Sequence, residues 1–503
     1  MLHFNFSAVN PQPDQVQQAF DVYAEQKYND FLKRYEAFLD VGLARELEKS
    51  QTAGGKLNVI LNHCTSQKLK LYILIDEYDN FANTIISMER EGDEAYHSIT
   101  HGTGFFRHFF SVLKEGTGSP DSGLARLFVA GVSPITMDDV TSGYNIGLQV
   151  SQDPPLAQLC GFTREEVSQL IQSQNIPQIL NLNLQDILSL MEAWYGGYRF
   201  ARQEGPALFN PDMVLYFTRN VLQYRELPQD MVDHNVRIDY NKLHHLILID
   251  RKLNGNFSRL KQIVEEGSLV SIIATGFPLE ALVREQNFIS LLYYFGLLTF
   301  RGVKEGASLL AVPNLVVAQL VYGYIRDAYE EADVFKTRMS RMIDHVRMMA
   351  YRGQWLDFFQ NLAEQIKEQT SIRDFLGGEK VIQGFLLAYL SIADHFIIHS
   401  EQELNKGFCD LYLEPFSIKY PDMKYGYLIE LKYFNRSKAS EARLSEKIEA
   451  ALQEGRQQLA GYILDPRLQK VSGKVTWICP VLVFHGWELV GSCLYEDTTR
   501  PDL

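Results

Sequence analysis

The sequence predicts an α/β protein of several domains: a parallel-sheet unit first, a mostly helical stretch in the middle, and a second, smaller α/β unit at the end. Three observations carry this. The 503 residues are more than one core organises, since domains run to about 100–200 residues. Two apolar runs near the front, Leu71 to Ile75 and Leu124 into Gly131, are separated by helical periodicity, which is the strand–helix–strand order of a parallel sheet. From about residue 345 the chain returns to strand patterns after a long helical stretch.

Element by element, Leu2, Phe4 and Phe6 alternate with His3 and Asn5, a strand period that begins at the second residue. Asn10-Pro-Gln-Pro-Asp14 is a turn signal, and Gln15 to Ser50 has helical spacing. Leu71 to Ile75 lacks alternation and so predicts a strand buried on both faces, ending in Asp76-Glu77. Helical spacing covers Ala82 to Lys114, a loop covers Glu115 to Gly123, and a second buried strand starts at Leu124. Cys160 to Met349 is mostly helical, with Pro211 suited to a first helical position and Phe288 to Phe300 leading into a short hairpin. A helix from Glu379 to Ile392 then precedes the strands GFCDLYLEP and YGYLIELKYF, a charged helix from Ser440 to Tyr462, and the late strands KVTWICP and LVFHGWELV. The boundaries predicted are 1–160, 161–344 and 345–503, with no internal repeat.

Composition narrows the function. Hydrophobic residues at 46% and charged residues at 22% exclude a disordered or disulfide-stapled chain. A net charge of −14 excludes coating nucleic acid or anionic membrane by bulk charge, so a polyanion must meet a local basic surface. The five cysteines are odd in number and scattered, the N-terminus lacks a signal-peptide pattern, and no run of 18 apolar residues occurs. A cytoplasmic protein without a membrane partner is expected, with oligomerisation left open. His244-His245 and the set His97, His101 and His108 lack the Cys or carboxylate company of a metal site.

Two constellations carry chemistry. In the first, an apolar strand ends in Asp76-Glu77, the arrangement by which P-loop NTPases hold a magnesium shell and orient the attacking water. Ser133, just past the next strand, sits where such enzymes sense the γ-phosphate. The partner motif G-x-x-x-x-G-K-[ST] is missing: Gly54-Gly55-Lys56-Leu57 and Ser472-Gly473-Lys474-Val475 lack both its spacing and its hydroxyl. ATP binding is therefore not expected of this sequence alone.

In the second, Glu430 and Lys432 lie two apart on one strand and share a face, and Asp410 lies on the preceding strand. Asp410 and Glu430 offer hard oxygen ligands for Mg²⁺, and Lys432 can position water and stabilise a phosphorane-like transition state. Glu379 on the upstream helix can add an outer carboxylate, while Gln458 and Tyr462 share a face of the downstream helix. From His345 onward there are 18 Lys and Arg against 21 Asp and Glu, so most of the acidity lies earlier in the chain. Lys432, Arg436, Lys438, Arg443 and Lys447 form a basic run that suits a phosphodiester, or else a solvated helix face.

With these residues together, the chain resembles bacterial and fungal proteins that join an AAA-ATPase-like domain to a C-terminal PD-(D/E)XK nuclease-like domain. LYILIDEYDNF resembles that family's Walker B segment, and LFVAGVSPITMDDVTSGYNIG its sensor strand and following loop. WYGGYRF, FNPDMVLYF, FISLLYYFGLLTF and VPN resemble its middle landmarks, and GFCDLYLEP with YLIELKYF its nuclease core. The resemblance implies a P-loop NTPase-like sheet in front and a restriction-endonuclease-like fold behind. Members begin with a strand and a phosphate loop ending in Gly-Lys-Ser before a segment like LHFNFSAV, where this chain starts, so an incomplete front is expected. It further implies a Mg²⁺-dependent nuclease acting on nucleic acid, DNA first, with Asp410, Glu430 and Lys432 in its catalytic core and Asp76 and Glu77 as nucleotide-site positions. Two alternatives stay open: a non-catalytic nucleic-acid or protein-binding scaffold, and an ATPase whose true N-terminus is missing.

Overall fold

The alternation at the front of the chain forms β1 (Leu2–Asn5), which pairs in parallel with β2 (Leu71–Asp76), and β2 pairs in parallel with β3 (Leu124–Val129). The computed structural model describes the chain apart from residues 11, 13–14, 81–103, 120, 135–146, 203–204, 234, 237–247, 250–251, 254, 279–280, 283, 437–440, 472–473 and 496–503. In this first unit α1 (Val16–Arg34), α2 (Ala53–Ser66) and α3 (Phe105–Thr117) bury an aromatic core. The rings of Phe6 and Phe20, Phe20 and Phe109, and Phe4 and Phe109 meet edge to face at 5.3, 5.2 and 5.5 Å, the geometry their quadrupoles favour.

Two expectations change here, and a third falls largely outside the described residues. The helix expected from Gln15 to Ser50 stops at Arg34; a single 3₁₀ turn and a short helix, Leu43–Leu47, follow it. Leu39 is extended at the break, and Leu43 restarts the helix with its N–H bonded to the Asp40 carbonyl. The sheet is not buried on both faces: Leu71, Ile73 and Ile75 are buried, but Tyr72 is 52% and Phe128 53% exposed. Among the described residues, helices cover one face only. The helix expected over Ala82 to Lys114 falls largely on residues outside the description, which resumes at α3.

In the middle, α4 (Leu184–Tyr195), α5 (Pro211–Tyr224), α6 (Gly255–Glu266), α7 (Glu285–Tyr294) and α8 (Leu315–Glu331) pack with an antiparallel sheet of β4 (Ser268–Ser271), β5 (Thr299–Lys304) and β6 (Ala307–Ala311), in which β6 lies between the other two. The landmark motifs meet in one knot. The Asn210 side chain caps α5 and the Asn314 side chain caps α8, and Asn314 Nδ2 also donates to the Gly196 carbonyl at 2.8 Å. Gly197 has φ +88 and lies so close to Pro313 that a Cβ would fall 2.2 Å from its carbonyl oxygen, so only glycine fits. Trp194, Tyr195, Tyr198, Tyr293 and Phe300 are buried, so these aromatic segments form core.

The last unit follows three helices, α9 (Met339–Arg352), α10 (Leu356–Glu368) and α11 (Glu379–Leu390). Its strands are β7 (Phe396–Leu404), β8 (Gly407–Pro415), β9 (Tyr425–Phe434), β10 (Thr476–His485) and β11 (Glu488–Tyr495), in the order β11-β10-β9-β8-β7. Only β9 and β10 are parallel, and α12 (Glu441–Tyr462) connects them. Leu459 of α12 packs on one side of the sheet, over Cys409, Leu428 and Val481. The other side merges, through Leu411, Ile429 and Leu482, into a core continuous with the middle helices. Burial from both sides is why YGYLI, the stretch before Glu430, reads as a continuous apolar run.

Two differences from the sequence reading stand out. β7 was not anticipated. The break between the last strands falls at Gly486, in the left-handed region at φ +62, and not at Pro480. At Pro480 the pairing of β10 with β9 skips from Ile478 opposite Tyr427 to Val481 opposite Glu430, while Pro480 stays opposite Leu494 of β11.

Candidate active site

Asp410 is the point where β8 leaves its neighbours. The β7–β8 ladder pairs Cys409 with Gln402 and Leu411 with Ser400, but not Asp410 with Glu401 between them. The β8–β9 ladder likewise begins only at Leu411 opposite Ile429. In place of a ladder bond, Asp410 Oδ2 accepts the Leu431 N–H at 2.7 Å. This bond ties the carboxylate of β8 to the residue between Glu430 and Lys432.

Glu430 is 3% exposed, and its Oε2 finds no hydrogen-bond partner. Its Oε1 lies 3.2 Å from Lys432 Nζ. Lys432 Nζ also donates to Gln458 Oε1 on α12 and lies 3.2 Å from Glu454 Oε1. Burial pushes the Glu430 carboxyl up to about 8; the neighbouring Asp410 charge adds to this and Lys432 opposes it. Asp410 is raised to about 6, first by burial, against the help of the Leu431 N–H, and further by the charges of Glu379 and Glu401. Burial alone would lower the Lys432 ammonium, but Glu430 and Glu454 outweigh it and hold it above its ordinary value. The result is an ammonium fixed beside two carboxyls that resist ionising.

The structure therefore brings Asp410, Glu430, Lys432 and Gln458 into one cluster. Glu379, exposed as the first residue of α11, acts on both carboxyls through its charge. Tyr462 donates to the Phe408 carbonyl at 2.8 Å and so braces β8 from α12. Three further residues escaped the sequence reading: Glu454, Gln383 and Glu401. Glu454 lies one turn before Gln458 on the same helix face, a spacing that could have pointed to it. The strand that carries Glu401 could have been found from its turn, Asn405-Lys406-Gly407, whose first two residues are left-handed as in a two-residue hairpin. The role of Glu401 itself leaves no sequence signal.

A divalent cation fits this donor set. An orphaned, buried carboxylate oxygen beside a second carboxylate is costly until a positive charge meets it. Among the described residues no three His, Cys, Asp or Glu side chains form a ready-made metal cage. Asp410 and Glu430 would hold the ion, with other positions left to water and substrate oxygens.

At the front of the chain, Asp76 closes β2, and its Oδ1 accepts the N–H of Glu77, whose φ is +54. Ser133 lies alongside, because Ala130 N–H bonds the Ile75 carbonyl and Tyr78 N–H the Ala130 carbonyl. Ser133 is 2% exposed. What holds these strand ends together is Asp79, fully buried, whose carboxylate accepts the N–H groups of Val132 and Ser133 at 3.1 and 2.6 Å. Tyr78 adds a bond from its hydroxyl to the Ser133 carbonyl. Of the two Gly-Lys segments, Gly54-Gly55-Lys56 is the first turn of α2, capped by Thr52, and Lys56 pairs with Glu25. Gly473 lies outside the described residues. So do His97, His101, His244, His245 and Lys438, while His108 is exposed on α3.

Comparison with known proteins supports the same two units. Residues 1–141 match the family model described as predicted AAA-ATPase, and residues 377–492 match that of the PD-(D/E)XK nuclease superfamily. No curated protein and no solved structure matches the chain. The parallel three-stranded sheet, helical middle and mixed five-stranded sheet agree with an AAA-ATPase-like unit joined to a restriction-endonuclease-like one. Among the described residues no helix is long and apolar enough to cross a membrane.

Proposed function

We propose that the C-terminal unit is a Mg²⁺-dependent phosphodiesterase that cleaves nucleic acid, DNA first, and that the AAA-ATPase-like unit regulates it. The observation that carries this reading is the buried, unpartnered Glu430 Oε2 beside Asp410 and the fixed ammonium of Lys432. Bound at Asp410 and Glu430, the ion would act as a Lewis acid toward a phosphoryl oxygen and lower the pKa of a bound water. Lys432, held in its charged form, is suited to neutralising negative charge on the phosphate rather than to taking a proton from water. Gln458 and Glu454 fix its ammonium, and Asp410 fixes the peptide between Glu430 and Lys432. Arg443 and Lys447 are exposed on α12, and Arg436 lies over the Trp487 ring at 4.7 Å just beyond β9. Such groups can follow a phosphate backbone despite the net negative charge.

The Asp76–Ser133 region keeps the strand ends of a nucleotide site, but Lys56 is engaged by Glu25 and no phosphate-cradling G-x-x-x-x-G-K-[ST] occurs in the sequence. Regulation is thus assigned to this unit without ATP hydrolysis by these residues alone.

The test is a cleavage assay on single- and double-stranded DNA with Mg²⁺, comparing wild type with Glu430→Ala and Lys432→Ala. Loss of cleavage in both variants supports the reading; equal residual activity in all three proteins sinks it. A binding scaffold without catalysis would show salt-sensitive DNA binding and no cleavage.

A further inference from the structure

The interruption of the β7–β8 ladder opposite Asp410 has its own machinery. Glu401 adopts a left-handed backbone, φ +53, in the middle of a strand, although it is not glycine. Its Oε1 accepts from Lys380 Nζ and, at 3.0 Å, from Gln383 Nε2, both on α11. Gln383 is 2% exposed, and the same Nε2 donates to the Asp410 main-chain carbonyl at 2.6 Å. One buried amide therefore joins Glu401 to the backbone of Asp410, at the residue where both flanking ladders fail. On its other side the Asp410 carboxylate is tied to the Leu431 N–H.

We propose that Glu401 and Gln383 are positioning residues for Asp410: Glu401 orients the Gln383 amide, and Gln383 holds the Asp410 backbone so that its carboxylate reaches Leu431 and the cation. The proposal rests on the cation-dependent reading of the site. Its physical content is a substitution of partners. A regular strand residue at 401 would turn its side chain away and pair its backbone with β8, and Asp410 would lie flat in the sheet. The left-handed twist at Glu401 instead sends a carboxylate toward α11, which sets the amide that replaces the lost pairing. Lys380 tethers Glu401 from the surface, where an ion pair contributes little by itself.

The experiment uses the full chain and two readouts: Mn²⁺ affinity by titration calorimetry, and amide hydrogen exchange at Leu431. Gln383→Met and Glu401→Ala are expected to weaken Mn²⁺ binding and to speed Leu431 exchange, each about tenfold, for loss of the hold on the Asp410 backbone. Glu401→Gln keeps an acceptor for Gln383 and should restore most of both. The double variant Gln383→Met with Glu401→Ala should be no worse than either single one, because they break one chain of bonds. On DNA, kcat should fall while KM holds. Unchanged Leu431 exchange and unchanged Mn²⁺ affinity in both single variants, whatever happens to melting temperature, overturn the relay. Asp410→Asn reports on the parent reading separately. If it binds Mn²⁺ as the wild type does, the cation assignment is lost, and Leu431 exchange still decides whether Glu401 and Gln383 position Asp410.

Discussion

An apolar strand presents acidic residues twice in this chain, at the end of β2 and in the middle of β9, and the two places differ in how the buried carboxylate is satisfied. At the front, Asp79 is fully buried and both its oxygens accept main-chain N–H groups from the neighbouring strand end. At the back, Glu430 is almost as buried, yet one oxygen has a lysine and the other has nothing. A satisfied buried carboxylate is scaffold, because its ionisation is compensated by fixed donors. An unsatisfied one is a standing cost that folding alone does not explain, and it points to a ligand. The contrast separates the two acidic sites better than the sequence pattern, an apolar run leading into a carboxylate at both.

The strongest way to break this contrast is catalytic. Glu430→Gln, Asp410→Asn and Lys432→Ala should each lower DNA cleavage by about a thousandfold, roughly 4 kcal/mol of transition-state stabilisation. Glu430→Gln should at the same time leave the protein at least as stable to urea at pH 8, since it removes a charge that the fold does not solvate. A variant that is both inactive and unfolded would place Glu430 with Asp79, among the scaffold groups.

Asp79→Ala is the mirror experiment. It strands the Val132 and Ser133 N–H groups and removes the tie between β2 and the segment after β3. The cost should be about 3 kcal/mol, read as an earlier first transition in urea unfolding followed by circular dichroism. A melting curve superimposable on that of wild type would show that the front carboxylate is not structural.

Much of the C-terminal site was legible in the sequence because its signals are local. Burial on both faces makes YGYLI continuously apolar, and the two-residue strand period alone puts Glu430 and Lys432 on one side. That β8 and β9 are antiparallel neighbours, which brings Asp410 to Glu430, is a condition the sequence leaves open and the fold meets. What could not be read is tertiary. Glu401 joins the site through a left-handed backbone that glutamate rarely adopts, and Gln383 through a bond to a residue far along the chain. Asp79 was passed over for the more familiar Asp76-Glu77 pair, although only the fold shows which of the three carboxyls is buried and paired. The end of the first long helix was misjudged because Tyr35 to Ser50 keeps enough apolar residues to mimic continuity across the break.

A smaller effect tests the electrostatics. Because Glu430 is raised from its ordinary 4.5 to about 8 and Asp410 from 3.8 to about 6, the folded protein binds more protons than the unfolded chain across that interval. The stabilisation these two groups give the metal-free protein is then fully present below about pH 4 and is lost as pH rises through 8. Millimolar Mg²⁺ or Mn²⁺ should offset this by about 2 kcal/mol at pH 8.5 and by much less at pH 5.5, where protons compete for the same oxygens. Thermal melts at the two pH values, with and without the ion, give the difference directly; an equal gain at both, or the same gain in Asp410→Asn, contradicts the assignment.

The smallest expected change concerns the lysine's support. Gln458→Ala removes a fixed acceptor from Lys432 Nζ but leaves Glu430 and the more exposed Glu454 in reach. The ammonium stays charged and loses only part of its aim, so kcat should drop about tenfold, about 1.4 kcal/mol, with KM unchanged. Adding Glu454→Gln should deepen the loss more than either change alone, because both side chains hold one ammonium and each can cover for the other. A single-variant loss as deep as that of Lys432→Ala would mean that the glutamine itself meets the substrate, and the back site would then draw its polar contacts from α12 as well as from the sheet.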